Sequence, residues 1–75
     1  MNLSIVEFNK PLIVKKINLE GKILKKLNDF GVIEGSNITL IKKAPFNGAM
    51  AVFSKGFVFI IRQKDARKIE VEYEL

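Results

Sequence analysis

The apolar positions of this chain change their period once, at a pair of glycines in its first half. Between Lys22 and Phe30 the apolar residues Ile23, Leu24, Leu27 and Phe30 fall at i, i+1, i+4 and i+7, one stripe of a 3.6-residue period. Lys22, Lys25, Lys26 and Asp29 take the other sides. This spacing predicts a single short amphipathic helix over residues 22–30. Gly31 stands where a helix closes its last turn with a left-handed residue, a conformation glycine adopts without a Cβ clash, so the helix is expected to end at Phe30 or Gly31. Ile33-Glu34-Gly35-Ser36 then reads as a tight turn with glycine at the position needing positive φ. Beyond it, Asn37-Ile38-Thr39-Leu40-Ile41 is rich in β-branched residues and opens a sheet.

The flanking segments follow a period of two. Ser4-Ile5-Val6-Glu7 has capping-box spacing, which predicts a short N-terminal helical turn before Pro11, with Leu3, Ile5 and Phe8 plugging one end of the sheet. Leu12 to Ile17 is a first strand, with Pro11 tolerated at its start. After the second strand, Pro45 and Asn47-Gly48 mark Lys42 to Gly48 as a loop, and no period places its Phe46 in the core. Met50 to Phe53 and Phe57 to Arg62 form a hairpin around Ser54-Lys55-Gly56. The second of these strands is apolar on both faces, Phe57, Phe59 and Ile61 against Val58 and Ile60, and is expected to be central or covered twice. Gln63 to Lys68 reads as a polar turn. From Ile69 to Leu75 the alternation is unbroken, with Glu70, Glu72 and Glu74 on a wet face. About five short strands and one inserted helix make a mainly β fold, a small partly open β-barrel.

Composition narrows the picture further. Seventy-five residues suit one domain, residues 1–75, near the size at which a single core is only marginally stabilising. The chain has no cysteine and no histidine, so disulfides and zinc cannot staple it; packing must suffice, with a homo-oligomer as a further source of burial. Hydrophobic residues make up 48%, yet no apolar run approaches the roughly 20 residues a membrane span needs. Met1-Asn2-Leu3-Ser4 lacks the basic start and apolar core of a signal peptide, and a cytoplasmic location is expected.

Chemistry is constrained by what is missing. Without histidine, Ser4, Ser36 and Ser54 have no ordinary base to activate them, and the glutamate row of the last strand offers no pair of carboxylates in contrasting environments. An enzyme is not expected. Gly31 and Gly35 lack the Gly-Lys-Ser/Thr ending of a phosphate loop, so no nucleotide or other cofactor is assigned. Ferrous iron favours imidazole, thiolate or histidine with carboxylate, and the chain supplies only hard oxygen donors; no tight metal site is expected, and no spaced Asp/Asn loop for Mg²⁺ or Ca²⁺ is visible. No small-molecule substrate follows from these residues. What remains is binding. The formal charge of +5 raises nucleic acid as a partner, with Lys22, Lys25 and Lys26 as its contact face, but low arginine content and the lack of tryptophan argue against base stacking.

The run Leu24-x-x-Leu27-x-x-Phe30-Gly31-Val32-x-x-Gly35-Ser36, with Ala44-Pro45-x-x-Gly48 downstream and Asp65-Ala66-x-x-Ile69-x-Val71 near the end, resembles the FeoA family, the small cytosolic component of bacterial ferrous iron uptake. Three separated blocks in order are far more specific than any one glycine turn. Glu34 stands where the family often has proline, Lys25-Lys26 where it has arginine, and Asn9-Lys10-Pro11 where a glycine is usual. The resemblance implies an SH3-like barrel. It also implies a non-catalytic accessory or adaptor protein that docks on the cytosolic GTP-binding portion of the FeoB membrane transporter and modulates its assembly or activity. Two surfaces are candidates for that contact: the loop Ala44 to Met50, with Phe46, Asn47 and Met50, and the corner after the helix, with Val32 and Ile33. Each has a plainer reading, Phe46 folding back over the barrel mouth and Val32 plugging it. The alternatives are an SH3-like nucleic-acid-associated module and a stand-alone relative of the C-terminal domain of metal-dependent repressors.

Overall fold

The computed structural model describes residues 1–75. In chain order its elements are a 3₁₀ turn at Leu3–Ile5, strand β1 at Pro11–Ile17, helix α1 at Gly21–Asp29, β2 at Asn37–Lys43, β3 at Ala49–Ser54, β4 at Phe57–Arg62, a short helix α2 at Gln63–Ala66, and β5 at Ile69–Tyr73. The strands form one antiparallel sheet in the order β4-β3-β2-β1-β5, so the barrel stays open between β4 and β5.

The alternation read from the sequence builds the core. Leu12 and Val14 of β1, Ile38 and Leu40 of β2, Met50 and Val52 of β3, Phe59 and Ile61 of β4, and Ile69 and Val71 of β5 are all buried on one face. Each such side chain contributes about 1.5–3 kcal/mol relative to exposure. Leu27 of α1, Val32, Leu3, Val6 and Ala66 complete the same cluster, and Phe30 stacks on Phe59 with ring centroids 5.8 Å apart. Register shifts between Val14 and Lys16 and between Leu40 and Lys42 bend the two longest strands. The second of these explains why β2 runs on to Lys43, past the expected end at Ile41: beyond the bulge the polarity no longer alternates with the pleat.

Helix α1 ends as its sequence predicts. Gly31 has φ +83, its amide donates to Asn28 O at 2.9 Å, and the Val32 amide donates to Leu27 O at 2.8 Å. This is the Schellman pair of hydrogen bonds, and Val32 and Leu27, both buried, make the apolar contact that accompanies it. Gly35, at φ +90, closes the next turn, in which the Ser36 amide donates to Ile33 O at 3.0 Å. The Ser36 hydroxyl bridges the same corner, accepting from Ile33 N at 3.1 Å and donating to Ile33 O at 2.7 Å.

Four expectations need correction. The N-terminal turn is capped by Asn2, whose Oδ1 accepts from Ser4 N at 2.9 Å, and not by Ser4. The turn begins at Leu3, so Asn2 holds the cap position and Ser4 lies inside the turn. Leu3 and Val6 plug the sheet, while Ile5 and Phe8 are exposed. Residues 63–66 form a turn of helix where a polar turn was expected, because Gln63 and Ala66 both turn inward and are buried. Most consequential, β4 is an edge strand: its outward Val58 and Ile60 are 57% and 59% exposed. A strand apolar on both faces signals two faces that avoid water, but not that this chain covers both.

Substituting Gly31→Val forces a β-branched residue to φ +83, with its Cβ 3.1 Å from Lys55 Cδ. The expected outcome is a loss of about 1 kcal/mol or more in stability, read from urea denaturation midpoints at constant m-value.

Candidate interaction surface

The loop between β2 and β3 is a rigid tip. Ala44 N donates to Ala49 O at 2.8 Å and Gly48 N to Pro45 O at 3.2 Å, which closes a four-residue turn around Phe46 and Asn47. Both central residues have positive φ, 57° and 60°, as a type I′ turn requires. The Asn47-Gly48 pair thus marks the right loop with the wrong register, since the turn centres one residue earlier. Helix α2 braces this loop at three points: Gln63 N donates to Gly48 O at 3.2 Å, Gln63 Nε2 to Ala44 O at 3.0 Å, and Arg67 Nη2 to Asn47 Oδ1 at 3.0 Å. Phe46 projects from the apex, 97% exposed. It does not fold back over the barrel mouth.

The other candidate residues divide. Met50 is fully buried, so it belongs to the core and is withdrawn as a docking anchor; it faces inward because it starts the alternation that Val52 continues. Val32 is likewise fully buried, as the apolar partner in the helix closure. Ile33 remains half-exposed at the corner. That corner lies beside Lys55, at the far end of β3 from Phe46, so the two candidate surfaces are roughly 17 Å apart along the strand and do not form one site. Asn47 acts as a brace through its side chain and not as a free contact.

Sequence reasoning missed the outer face of the meander β2–β3–β4. Pairing places Thr39, Phe53 and Val58 in one cross-strand row, and Lys42, Ala51 and Ile60 in the next. Phe53 is exposed on this face with Val58 and Ile60, while Phe57, which alternates onto the face of Phe59, is exposed at the start of β4. An open groove of about 350 Å³, lined among others by Ala44, Pro45, Ala49, Ala51 and Ile60, joins this face to the base of the loop. The signal was present in the double-sided apolar character of Phe57 to Arg62.

The FeoA domain family matches residues 1–73 of this chain. The chain belongs to the FeoA family. Iron(II) transport protein A from Clostridium thermocellum is 26% identical with a TM-score of 0.87 over 97% of this chain and 45% of that one, so the chain spans less than half the length of that relative. A FeoA-like protein from Clostridium acetobutylicum is 31% identical, with a TM-score of 0.80 over 100% of this chain and 87% of that one. Stenotrophomonas maltophilia FeoA, solved as a complex with zinc, is described as a prokaryotic SH3 domain protein and a candidate activating factor of ferrous iron transport. At 21% identity and a TM-score of 0.78 over 96% and 89% of the two chains, that likeness shows the fold, an SH3-like barrel. A comparison with curated proteins finds no match. Through its family the chain is associated with ferrous iron transport.

Within this FeoA domain no three carboxylates gather where an ion could be held. No helix is long and apolar enough to cross a membrane. The ion pairs Lys10–Glu7, Lys15–Glu72 and Lys25–Asp29, at 3.4–3.6 Å, are solvent-exposed and contribute little to stability. Lys22 and Lys26 of α1 carry no such partner.

Two outcomes follow from this geometry. Met50→Ala is expected to lower stability by about 2–5 kcal/mol, through lost burial and the cavity it leaves, whereas Phe46→Ala leaves the melting midpoint nearly unchanged; thermal denaturation of the two variants side by side checks this. Anaerobic calorimetric titration is expected to show no stoichiometric micromolar Fe(II) site, since hard oxygens and protonated amines are poor ligands for that ion.

Proposed function

We propose that this FeoA domain is a noncatalytic adaptor of bacterial ferrous iron uptake that docks from the cytosolic side on the GTP-binding portion of the FeoB transporter. The observation that carries the reading is Phe46, a large aromatic ring fully presented to water on a turn already held in shape by α2. Hot spots of protein interfaces are enriched in anchors of this kind, and a preformed tip loses little conformational entropy on binding. Its role is to alter the transporter's assembly or nucleotide cycle by contact. The chain itself offers no phosphate loop, no histidine and no thiol with which to perform either step.

A nucleic-acid role has its own support in the unpaired Lys22 and Lys26 of α1 and in the exposed Phe53 and Phe57, which the sequence did not distinguish from core residues. Val58 and Ile60, which share the outer face with Phe53 and leave Phe57 on the other, favour a protein partner instead, because aliphatic side chains offer a base no stacking platform.

Calorimetry against the isolated cytosolic portion of FeoB from the same organism, with and without GTP, tests the reading. Phe46→Ala is expected to weaken binding by about 1 kcal/mol or more, and charge reversal of Lys22, Lys25 and Lys26 is expected to leave it intact. Unchanged affinity in Phe46→Ala would remove the loop as the anchor, and a wild-type protein that does not bind would overturn the adaptor role.

A further inference from the structure

The two edges of the sheet are treated differently. At the β5 edge the chain's own start is laid alongside: Val71 N donates to Met1 O at 2.8 Å, and Asn2 bridges to Glu70. That edge also carries the charged Glu70 and Glu72, which discourage strand addition. The β4 edge has neither protection. No strand pairs with β4 on the side away from β3, and Phe57-Val58-Phe59-Ile60-Ile61 carries no charge before Arg62. An unpaired backbone edge beside exposed apolar side chains is a template for another strand.

Charge says what kind of strand. From Gly35 to Lys64 the chain contains no acidic residue and five cations, Lys42, Lys43, Lys55, Arg62 and Lys64. The remaining residues carry eight cations and eight acids, so the whole formal charge of +5 belongs to the segment that forms β2, β3 and β4. None of these five cations forms an ion pair, whereas all three ion pairs lie in the balanced remainder. Lys42 sits beside Ala51 on the outer face and Arg62 lies opposite Ala49, at the margins of the apolar rows.

Resting on the docking reading above, we infer that the partner supplies an extended segment, apolar at alternate positions and flanked by carboxylates, which adds as a sixth strand to β4. Its apolar side chains lie beside Val58 and Ile60, a carboxylate meets Arg62 at the end of β4, and the other cations of the meander attract it at longer range. Main-chain hydrogen bonds along the edge give the affinity, and the alternating side chains give the selection. A second copy of this chain is a poor occupant, because edge-to-edge pairing would bring two uncompensated positive faces together.

The test is amide hydrogen exchange on isotope-labelled protein with and without the isolated cytosolic portion of FeoB, together with its affinity at low and high salt. The β4 amides that β3 leaves unpaired are expected to slow by ~10-fold or more on binding, and affinity is expected to fall several-fold as salt rises. Val58→Glu with Ile60→Glu, a double variant that adds edge-protecting charges of the partner's own sign at exposed positions, is expected to lose ~10-fold or more in affinity. Binding that leaves the β4 amides unprotected overturns the added strand but leaves the docking function standing, and this readout decides even if the double variant fails to fold. Failure of the wild-type protein to bind overturns both. Protection of β4 that grows with the protein's own concentration, without partner, assigns the edge to a second copy and overturns the inference.

Discussion

The left-handed closure of α1 at Gly31 is the constraint on which the other elements depend. Once the Gly31 and Val32 amides have turned back to Asn28 and Leu27, the chain can leave the helix in one direction only, with Val32 under Leu27 in the core. The turn that follows is then delivered to β1, where Gly35 N donates to Val14 O at 2.7 Å and Val14 N to Ser36 O at 2.9 Å. Those bonds fix the register of β2 on β1, with Ile13 opposite Asn37 and Leu12 opposite Ile38. A slip by one residue would turn Ile38 and Leu40 to water, since the side-chain period of a strand is two. The β3–β4 turn packs against the same corner from the other side, with Lys55 Cδ 3.1 Å from the position a Gly31 Cβ would take.

Much of this was legible because it is local. The stripe of Ile23, Leu24, Leu27 and Phe30 and the two glycines after it specify a helix, its end and a turn without reference to any distant residue. The alternation in Ile69 to Tyr73 similarly separates a buried face from a row of glutamates. Errors arose where the answer depends on what lies across the fold. Met50 stands where loop meets strand, and its burial follows from the β3 alternation that it shares with Val52, opposite Ile61 in the sheet. Gln63 looks like a turn residue until its amide is found bracing Ala44, nineteen positions away. Of the five candidate contact residues, Phe46 and Ile33 lie at the surface, Met50 and Val32 serve the core, and Asn47 is held by Arg67. Polarity alone cannot distinguish a side chain that avoids water within its own fold from one that avoids it against another molecule.

That ambiguity is sharpest on the meander. Its inner face supplies six of the fifteen core residues, Ile38, Leu40, Met50, Val52, Phe59 and Ile61. Its outer face carries the exposed Phe53, Val58 and Ile60, and every charge on the meander itself is a cation. The two parts of the chain therefore differ electrostatically: the residues outside 35–64 are charge-balanced as a whole and carry the ion pairs, while the meander is uncompensated. Uncompensated charge of one sign opposes folding slightly and accelerates encounter with a surface of the opposite sign. On the docking reading, a gain in encounter rate is the return such a cost would bring.

Phe46 presents the same trade locally. A bulky residue at φ +57 is a backbone outlier, costing on the order of 1 kcal/mol, and its exposed ring forgoes about 1.5–3 kcal/mol of burial. Turns with two left-handed central residues favour asparagine and glycine, and the chain shows the milder solution at Lys55-Gly56, φ 49° and 87°, in the next hairpin. Nothing in the packing of the loop requires an aromatic ring at its apex; the turn is held by Ala44, Gly48, Gln63 and Arg67 through backbone and polar groups. The ring therefore adds nothing to the stability of the isolated domain, while the backbone beneath it carries the strain. On the docking reading proposed above, this strained but braced tip presents an anchor that needs no rearrangement on arrival.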